Sequence, residues 1–453
     1  MSKAISIKPL VVALTALLAS PSVFAVDIVG VHEQAKQNDP LLRAAMYRRD
    51  ATAERIPQAR ANLLPTLSAS ASATQGDAQV TIQGFSFPST DTDNENRQLD
   101  LSQTIYDHAN YKRLDIARGE VGQGDAVYQK AYQDFLVRVA DTYFGVLTAI
   151  DGVTFAEAEE KALQRQFEQA EQRFEVGLTA VTDVHEARAS YDNARARAIV
   201  ARNNLADAQE GLRELTGRYF DSLDPLQKQL PLEPPTPGTA EEWVKIALAN
   251  NPSVQSAQYS VEIAEGNANL QRAGHFPTLS LSASKSEFTN NKYIGRDPIT
   301  QEPSDTPLEL VNDDTRVTLR LNVPIYSGGA VYSRTRQARY ELNAAQQDLD
   351  VQQRASVRET QNAFRAVIAG IQQVEAFGQA LISAESALEA TQAGFEVGTR
   401  TIVDVLIAEQ RYYQAQRDNS NARHTYIVDH LRLKAAAGVL DEADIQRVNQ
   451  VLD

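Results

Sequence analysis

The residues best suited to chemistry are few and poorly spaced for it. His185-Glu186 begins like a zinc-protease helix but has no second histidine four residues after the first. His424 and His430 stand six apart in a helical pattern, off a shared face, which favours a solvated or tunnel-lining role over metal binding. Gly122-Gln123-Gly124 lacks the third glycine and the preceding strand of a dinucleotide loop. Carboxylate pairs such as Glu159-Glu160 lie in charge-mixed runs rich in Ala and Gln, the composition of a solvated helix surface. Cysteine is absent, which removes disulfides, thiolate metal sites and a lipid-modified cysteine. Nothing positions a nucleophile, no cofactor or metal is implied, and an enzyme is the least supported class. A net charge of −15 argues against nucleic acid as a partner.

The elements that would have to position any site are more informative. Residues 1–25 read as a secretory signal peptide, with Lys3 and Lys8 ahead of an apolar run and Val23-Phe24-Ala25 at the cleavage site. No later stretch approaches the roughly 18 apolar residues of a membrane-spanning helix. If the mature chain crosses a bilayer, it does so with strands.

The chain repeats itself. LPTLSASAS from Leu64 matches FPTLSLSAS from Phe276, about 212 residues on, and FEVGLTAVTDV from Phe174 matches FEVGTRTIVDV from Phe395, about 221 residues on. Asn38-Asp39-Pro40 and Asn251-Pro252 open the two halves, and Ile105-Tyr106 recurs as Ile325-Tyr326. The first repeat occupies 26–217, with helices predicted over 36–62, 109–174 and 180–216 and a hairpin over 64–107. The second occupies 241–438, with helices over 241–274, 331–395 and 401–437 and a hairpin over 276–326. A proline-rich linker, 218–240, joins them, and 439–453 is a C-terminal tail. Each long helix spans roughly 100 Å at 1.5 Å per residue. Phe135, Val139, Tyr143, Val146 and Ile150 are spaced at three and four residues, the stripe of a coiled-coil seam. Glycine caps end the repeats at Gly217 and Gly438.

Both hairpins alternate. Leu67, Ala69, Ala71 and Ala73 interleave with serines and a threonine; Val317, Leu319, Leu321 and Val323 interleave with Thr318, Arg320 and Asn322. One apolar and one polar face over about ten residues is the pattern of a lipid-facing, water-lined barrel strand. Four strands do not close a barrel, so several chains must contribute to one. The polar insert 285–314 reads as a mobile loop. A fibrous coiled-coil scaffold or adhesin of the envelope is the alternative; it accounts for the helices and the charge but not for two alternating hairpins at matched places in a duplication.

The duplicated unit, the paired FEVG turns, VGLTAVTDV from Val176, VGTRTIVDV from Val397, ARNNL from Ala201 and the LPTLS and FPTLS strand starts together resemble the TolC family of outer-membrane channel-tunnels. The resemblance covers essentially the whole mature chain. It implies an α+β membrane protein in the outer membrane of a Gram-negative bacterium, a homotrimer with a 12-stranded β-barrel in lipid and a 12-helix coiled-coil tunnel reaching into the periplasm. The implied function is an exit duct for type I protein secretion or multidrug efflux. The implied partners are a periplasmic adaptor and an inner-membrane ABC exporter or proton-driven pump. It also implies an iris at the periplasmic helix ends: Arg400 falls on the gate arginine, and Thr182 and Asp183 fall on its partners. Phe395 stands where the family has a gate tyrosine, and Ile407 where it has a pore-facing aspartate; Asp404 and Glu409 are the nearby acids. The turns at Val176, Gly177 and Leu178 and at Val397, Gly398 and Thr399 fall where family adaptors dock.

Overall fold

The computed structural model describes residues 25–453 except 79–80, 83–84, 87–89 and 294–307. The signal-peptide reading thus lies outside the described residues, Ala25 excepted. Two helices dominate: α4 (His108–Glu175) with 68 residues and α8 (Ala330–Glu396) with 67. Along one half of α4 pack α2 (Pro40–Ala53) and α3 (Arg55–Ala61), and along the other half packs α5 (Val181–Thr216). Along α8 the same places are taken by α6 (Ala240–Asn250) with α7 (Pro252–Arg272), and by α9 (Ile402–Ala436). Helix α7 lies against both long helices, and α9 also packs on α4, so the two repeats share one rod. A first helix, α1 (Ile28–Asn38), and a last one, α10 (Glu442–Asn449), dock on its middle.

Two predicted helices are broken where the chain supplies its own caps. In place of one helix over 36–62, the chain becomes helical at Ile28 and breaks at Asp39, whose carboxylate accepts from the Leu41 N–H at 2.9 Å. Pro40 has no N–H for the Lys36 carbonyl, so it begins a helix rather than continuing one. Pro57 is tolerated only in a first turn, which accounts for the second break at Glu54. The predicted helix 241–274 likewise splits at Asn251 before Pro252. Its side-chain oxygen accepts from Ser253 N at 2.9 Å, and its amide donates to the Ala436 carbonyl at 2.8 Å.

The strands form one antiparallel sheet in the order β1 (Thr66–Ala78), β4 (Thr90–Asp107), β5 (Thr278–Tyr293), β6 (Leu308–Asn322). A two-residue ladder, β2 (Thr81–Ile82) with β3 (Phe85–Ser86), sits near the tip of the first hairpin. Pairing runs further than alternation predicts. Residues 75–78 face 90–93, and Lys285 to Asn290 face Thr315 to Leu310, so the near part of the insert 285–314 is ladder rather than mobile loop. Residues 294–307 of that loop reading lie outside the described residues. Across the sheet, Leu67 faces Leu101, Leu101 faces Ala283 and Ala283 faces Val317, one continuous apolar row. The outer edges of β1 and β6 have no partner among the described residues.

The largest core gathers at the rod's middle, around Phe135, Val139 and Tyr143 of α4, Trp243 of α6 and Leu431 of α9. Burying each large apolar side chain is worth about 1.5–3 kcal/mol. The 218–240 linker is fastened there by hydroxyls: Tyr143 donates to the Asp224 carbonyl at 2.8 Å, and Tyr426 to that of Glu233 at 3.0 Å. The tail over 439–453 is more than a tail, because α10 is capped by Asp441 and tied down by Lys434 to Asp444 and by Asn449 to Asp27. Two helix glycines, on α4 and α7, serve close approach. A Cβ on Gly122 would lie 2.5 Å from the Tyr259 ring, and one on Gly266 would lie 2.7 Å from Ile116.

Gly438 is the tightest glycine. Its φ of +75° is left-handed, and a Cβ would stand 2.5 Å from the Asn250 carbonyl oxygen, which is backbone and has little freedom to yield. Strain of this kind costs on the order of 1–3 kcal/mol before any clash is counted. Gly438→Ala is expected to lower the thermal unfolding midpoint of the detergent-extracted protein. Gly211→Ala, in open space on α5, is expected to leave it level or raise it.

Candidate functional site at the helix-turn tips

The two FEVG segments end their long helices in one way. Gly177 and Gly398 take φ of +76° and +79°, and their N–H groups bond the carbonyls of Phe174 at 2.9 Å and Phe395 at 3.1 Å. The next residue reaches one residue further back: Leu178 N to Arg173 O and Thr399 N to Gly394 O, both 2.8 Å. This is the double bond pattern of a left-handed helix stop, for which glycine is the residue of lowest strain. The turn throws its apolar residues outward: Val176, Leu178 and Val397 are 69 %, 74 % and 76 % exposed.

Each returning helix carries an acid at its third position, and each acid is already engaged. Thr401 and Asp404 form a reciprocal capping box, Thr401 N to Asp404 Oδ2 at 2.9 Å and Asp404 N to Thr401 Oγ1 at 3.3 Å. Those bonds to Thr401, its backbone N–H first and its hydroxyl second, with Arg400 a smaller contribution, hold the Asp404 carboxyl below its ordinary value. The Asp183 carboxylate accepts from the Thr179 hydroxyl. By the repeat register, Thr179 corresponds to Arg400. One repeat therefore places a locally satisfied hydroxyl where the other places a guanidinium.

Arg400 lies with its stem across Gly394, where a Cβ would stand 2.8 Å from Arg400 Cγ. Among the described residues its guanidinium has no ion pair, and the fold of one chain does not bring it to Asp183 or Thr182. Thr182 is exposed beside Asp183. Phe395 packs on the seam of Leu163, Ala170, Ile402 and Leu406, and the Arg173 guanidinium stacks over its ring at 4.6 Å. Ile407 is 42 % exposed, whereas Glu409 is 3 % exposed. Glu409 accepts from Gln166 at 3.3 Å and Gln392 at 3.5 Å, and burial raises its carboxyl above the ordinary range. It faces the helix seam, so neither Glu409 nor the capped Asp404 takes the place of an acidic ring at Ile407.

Sequence reasoning missed the Arg173–Phe395 stack, which joins residues far apart in the chain. It also missed two features that had a local signal. Ile402, Val405, Leu406 and Glu409 are spaced at three, four and seven, the spacing of a buried stripe, and Thr401-x-x-Asp404 is a capping pattern. The histidines need correction too. His424 is buried against Phe144, with Thr148 Oγ1 at 2.8 Å from Nδ1, and burial lowers it to about 4. His430 packs on Tyr426 at 4.8 Å. His424 is therefore not solvated, His430 is half-buried, and no metal-holding group occurs among the described residues.

Asp404 yields a measurable consequence. Its ionised form accepts the cap bonds, so the cap contributes fully above the ordinary carboxylate value of 3.8 and is lost as pH falls through the lowered folded value. Asp404→Ala is expected to speed amide hydrogen exchange in the first turn of α9 at neutral pH while leaving α5 unchanged. Wild type is expected to approach the same exchange only in strong acid.

The model for outer membrane efflux proteins matches residues 31–218 and 243–439, which are the two repeats. The outer membrane protein TolC of Vibrio cholerae is 36 % identical over 97 % of either chain. The alkaline protease secretion protein AprF of Pseudomonas aeruginosa is 29 % identical over 95 % of this chain and 88 % of its own. Among solved structures, the channel protein CusC superposes with a TM-score of 0.74 at 17 % identity, covering 92 % of this chain and 93 % of its own, a likeness of fold. With a duplicated rod, a strand layer at one end and matched turns at the other, this chain belongs to the outer membrane efflux protein family, as an exit duct of the Gram-negative outer membrane.

Proposed function

We propose that three copies of this chain form a duct whose barrel lies in lipid and whose helices cross the periplasm to meet an inner-membrane transporter through an adaptor. The observation that carries the trimer is the four-stranded sheet with two open edges. In hydrocarbon each unpaired backbone group costs several kcal/mol, so β6 must pair with β1 of a neighbouring copy until the barrel closes. Three such sheets supply twelve strands. The envelope scaffold reading leaves those edges unexplained.

The exposed turns at Val176, Gly177 and Leu178 and at Val397, Gly398 and Thr399 are the adaptor's docking surface. The gate is the link that one chain lacks: Arg400 pairs with Asp183 and Thr182 of the next copy. A guanidinium on a carboxylate and a hydroxyl makes a directional, charge-assisted bond. Phe395 sits behind this link as a packed ring under Arg173 rather than as a hydrogen-bond donor, and Asp404 keeps the start of α9 in shape beside it. The cargo follows the pump recruited. Likeness to a protease-secretion protein supports secreted protein as cargo, for which the pump we propose is an ABC exporter, and the family description supports efflux, for which we propose a proton-driven pump. The duct performs no catalysis and carries no cofactor.

Planar-bilayer recordings of the purified trimer test this reading. Wild type is expected to show small steps and Arg400→Ser steps several-fold larger. Equal steps in both overturn the gate assignment, and a correctly assembled protein that forms no pore overturns the duct.

A further inference from the structure

The polar face of the sheet carries few charges, and one of them stands apart. Successive strand residues face opposite sides. With Leu67, Leu99, Leu101, Val317, Leu319 and Leu321 on the lipid side, the side toward the lumen carries serines, threonines and amides over most of its described height. Three of its charges lie together toward the far end: Asp100 accepts from Gln98 at 2.8 Å, and Arg316 pairs with Asp314 at 3.1 Å. Nearer the helices, Arg320 faces Ser280, and Ser280 faces Thr104. Arg320 is exposed and has no ion pair or hydrogen bond among the described residues. The Arg316 group lies four residues along the strand, roughly 13 Å away. Asp107, beyond the bulge in β4, is engaged in capping α4 through Ala109 N at 2.9 Å.

Closing the barrel does not supply the missing acid. The strand that β6 meets is β1 of the next copy, whose lumen-side residues Thr66, Ser68, Ser70, Ser72 and Thr74 are all hydroxyls. Gly76 and Ala78 continue that face, so whatever the register the described residues of β1 offer Arg320 a hydroxyl, a glycine or an alanine and no acid. Three-fold symmetry sets three such guanidiniums at one height inside the pore. We infer that Arg320 forms a cationic ring in the barrel lumen, a selectivity element that draws anionic groups of the cargo, phosphates or carboxylates, through the last stage of exit.

The inference rests on the trimeric barrel reading. Its range follows from screening, about 8 Å at physiological ionic strength, enough for three charges on one ring to act together on a multivalent anion in the pore. The arrangement predicts block from the extracellular side, which reaches Arg320 without passing the periplasmic tips.

The test is inorganic tripolyphosphate added to the extracellular side of single channels. Wild type is expected to be blocked at a concentration at least about tenfold below that needed for Arg320→Gln, with the difference shrinking as salt rises. Arg320→Lys is expected to retain the block, which separates charge from shape. Equal block of wild type and Arg320→Gln overturns the ring while leaving the duct in place. Absence of any pore from all three proteins overturns the duct reading and the ring with it.

Discussion

Unpaired backbone at the edges of β1 and β6 is the constraint on which the rest of the molecule depends. A sheet of four strands with one apolar face is stable neither in water, where that face is exposed, nor alone in lipid, where its edges have no partner. Closure with other copies removes both problems together. It then fixes how many long helices stand below the barrel, because each hairpin runs directly into one of them: β4 ends at Asp107 and α4 begins at His108. The helical rod inherits its symmetry from the sheet.

The duplication makes this inheritance regular. Every strand pair feeds a helix of nearly 70 residues, and each such helix is accompanied over its whole length by shorter ones. The breaks at Asp39 and Asn251 lie at the same place in the two repeats, level with the densest core and with the docked α1, α10 and linker. A continuous helix there would leave no room for that girdle of added elements. Interruption and girdle are one feature: Asn251 caps α7 with its oxygen and ties down the end of α9 with its amide.

What was legible in the sequence follows from where it carries contrast. Repeats, helix periodicity and strand alternation all depend on apolar against polar residues, and those elements sit at an interface with lipid or core. Contrast disappears in 75–78 and 285–290, where polar residues occupy both faces, and there the ladder continued beyond the predicted strands. Helix breaks were written in Pro40, Pro57 and Pro252, but as single residues that a stripe of periodic positions overrides. The Arg173–Phe395 stack had no local signal at all, since it depends on the two repeats lying side by side.

The tips separate rigidity from movement. Within one chain the acceptors that shape the turns are engaged: Asp183 by Thr179, Asp404 by Thr401, and the helix-end carbonyls by the glycine stops. Each turn therefore keeps its shape whether or not anything pairs with it. Arg400 rests on Gly394 with no hydrogen bond or ion pair among the described residues. In the proposed gate its link to the next copy is worth about 1 kcal/mol if exposed and up to about 3 kcal/mol as a charged hydrogen bond. Three such links are weak beside the packed seam of Leu163 on α4, Ala187 on α5 and Ile402 and Leu406 on α9 that holds the helices of one chain together. Force applied at the tips thus parts one copy from the next before it separates the helices within a chain, which is the ordering an iris between copies requires.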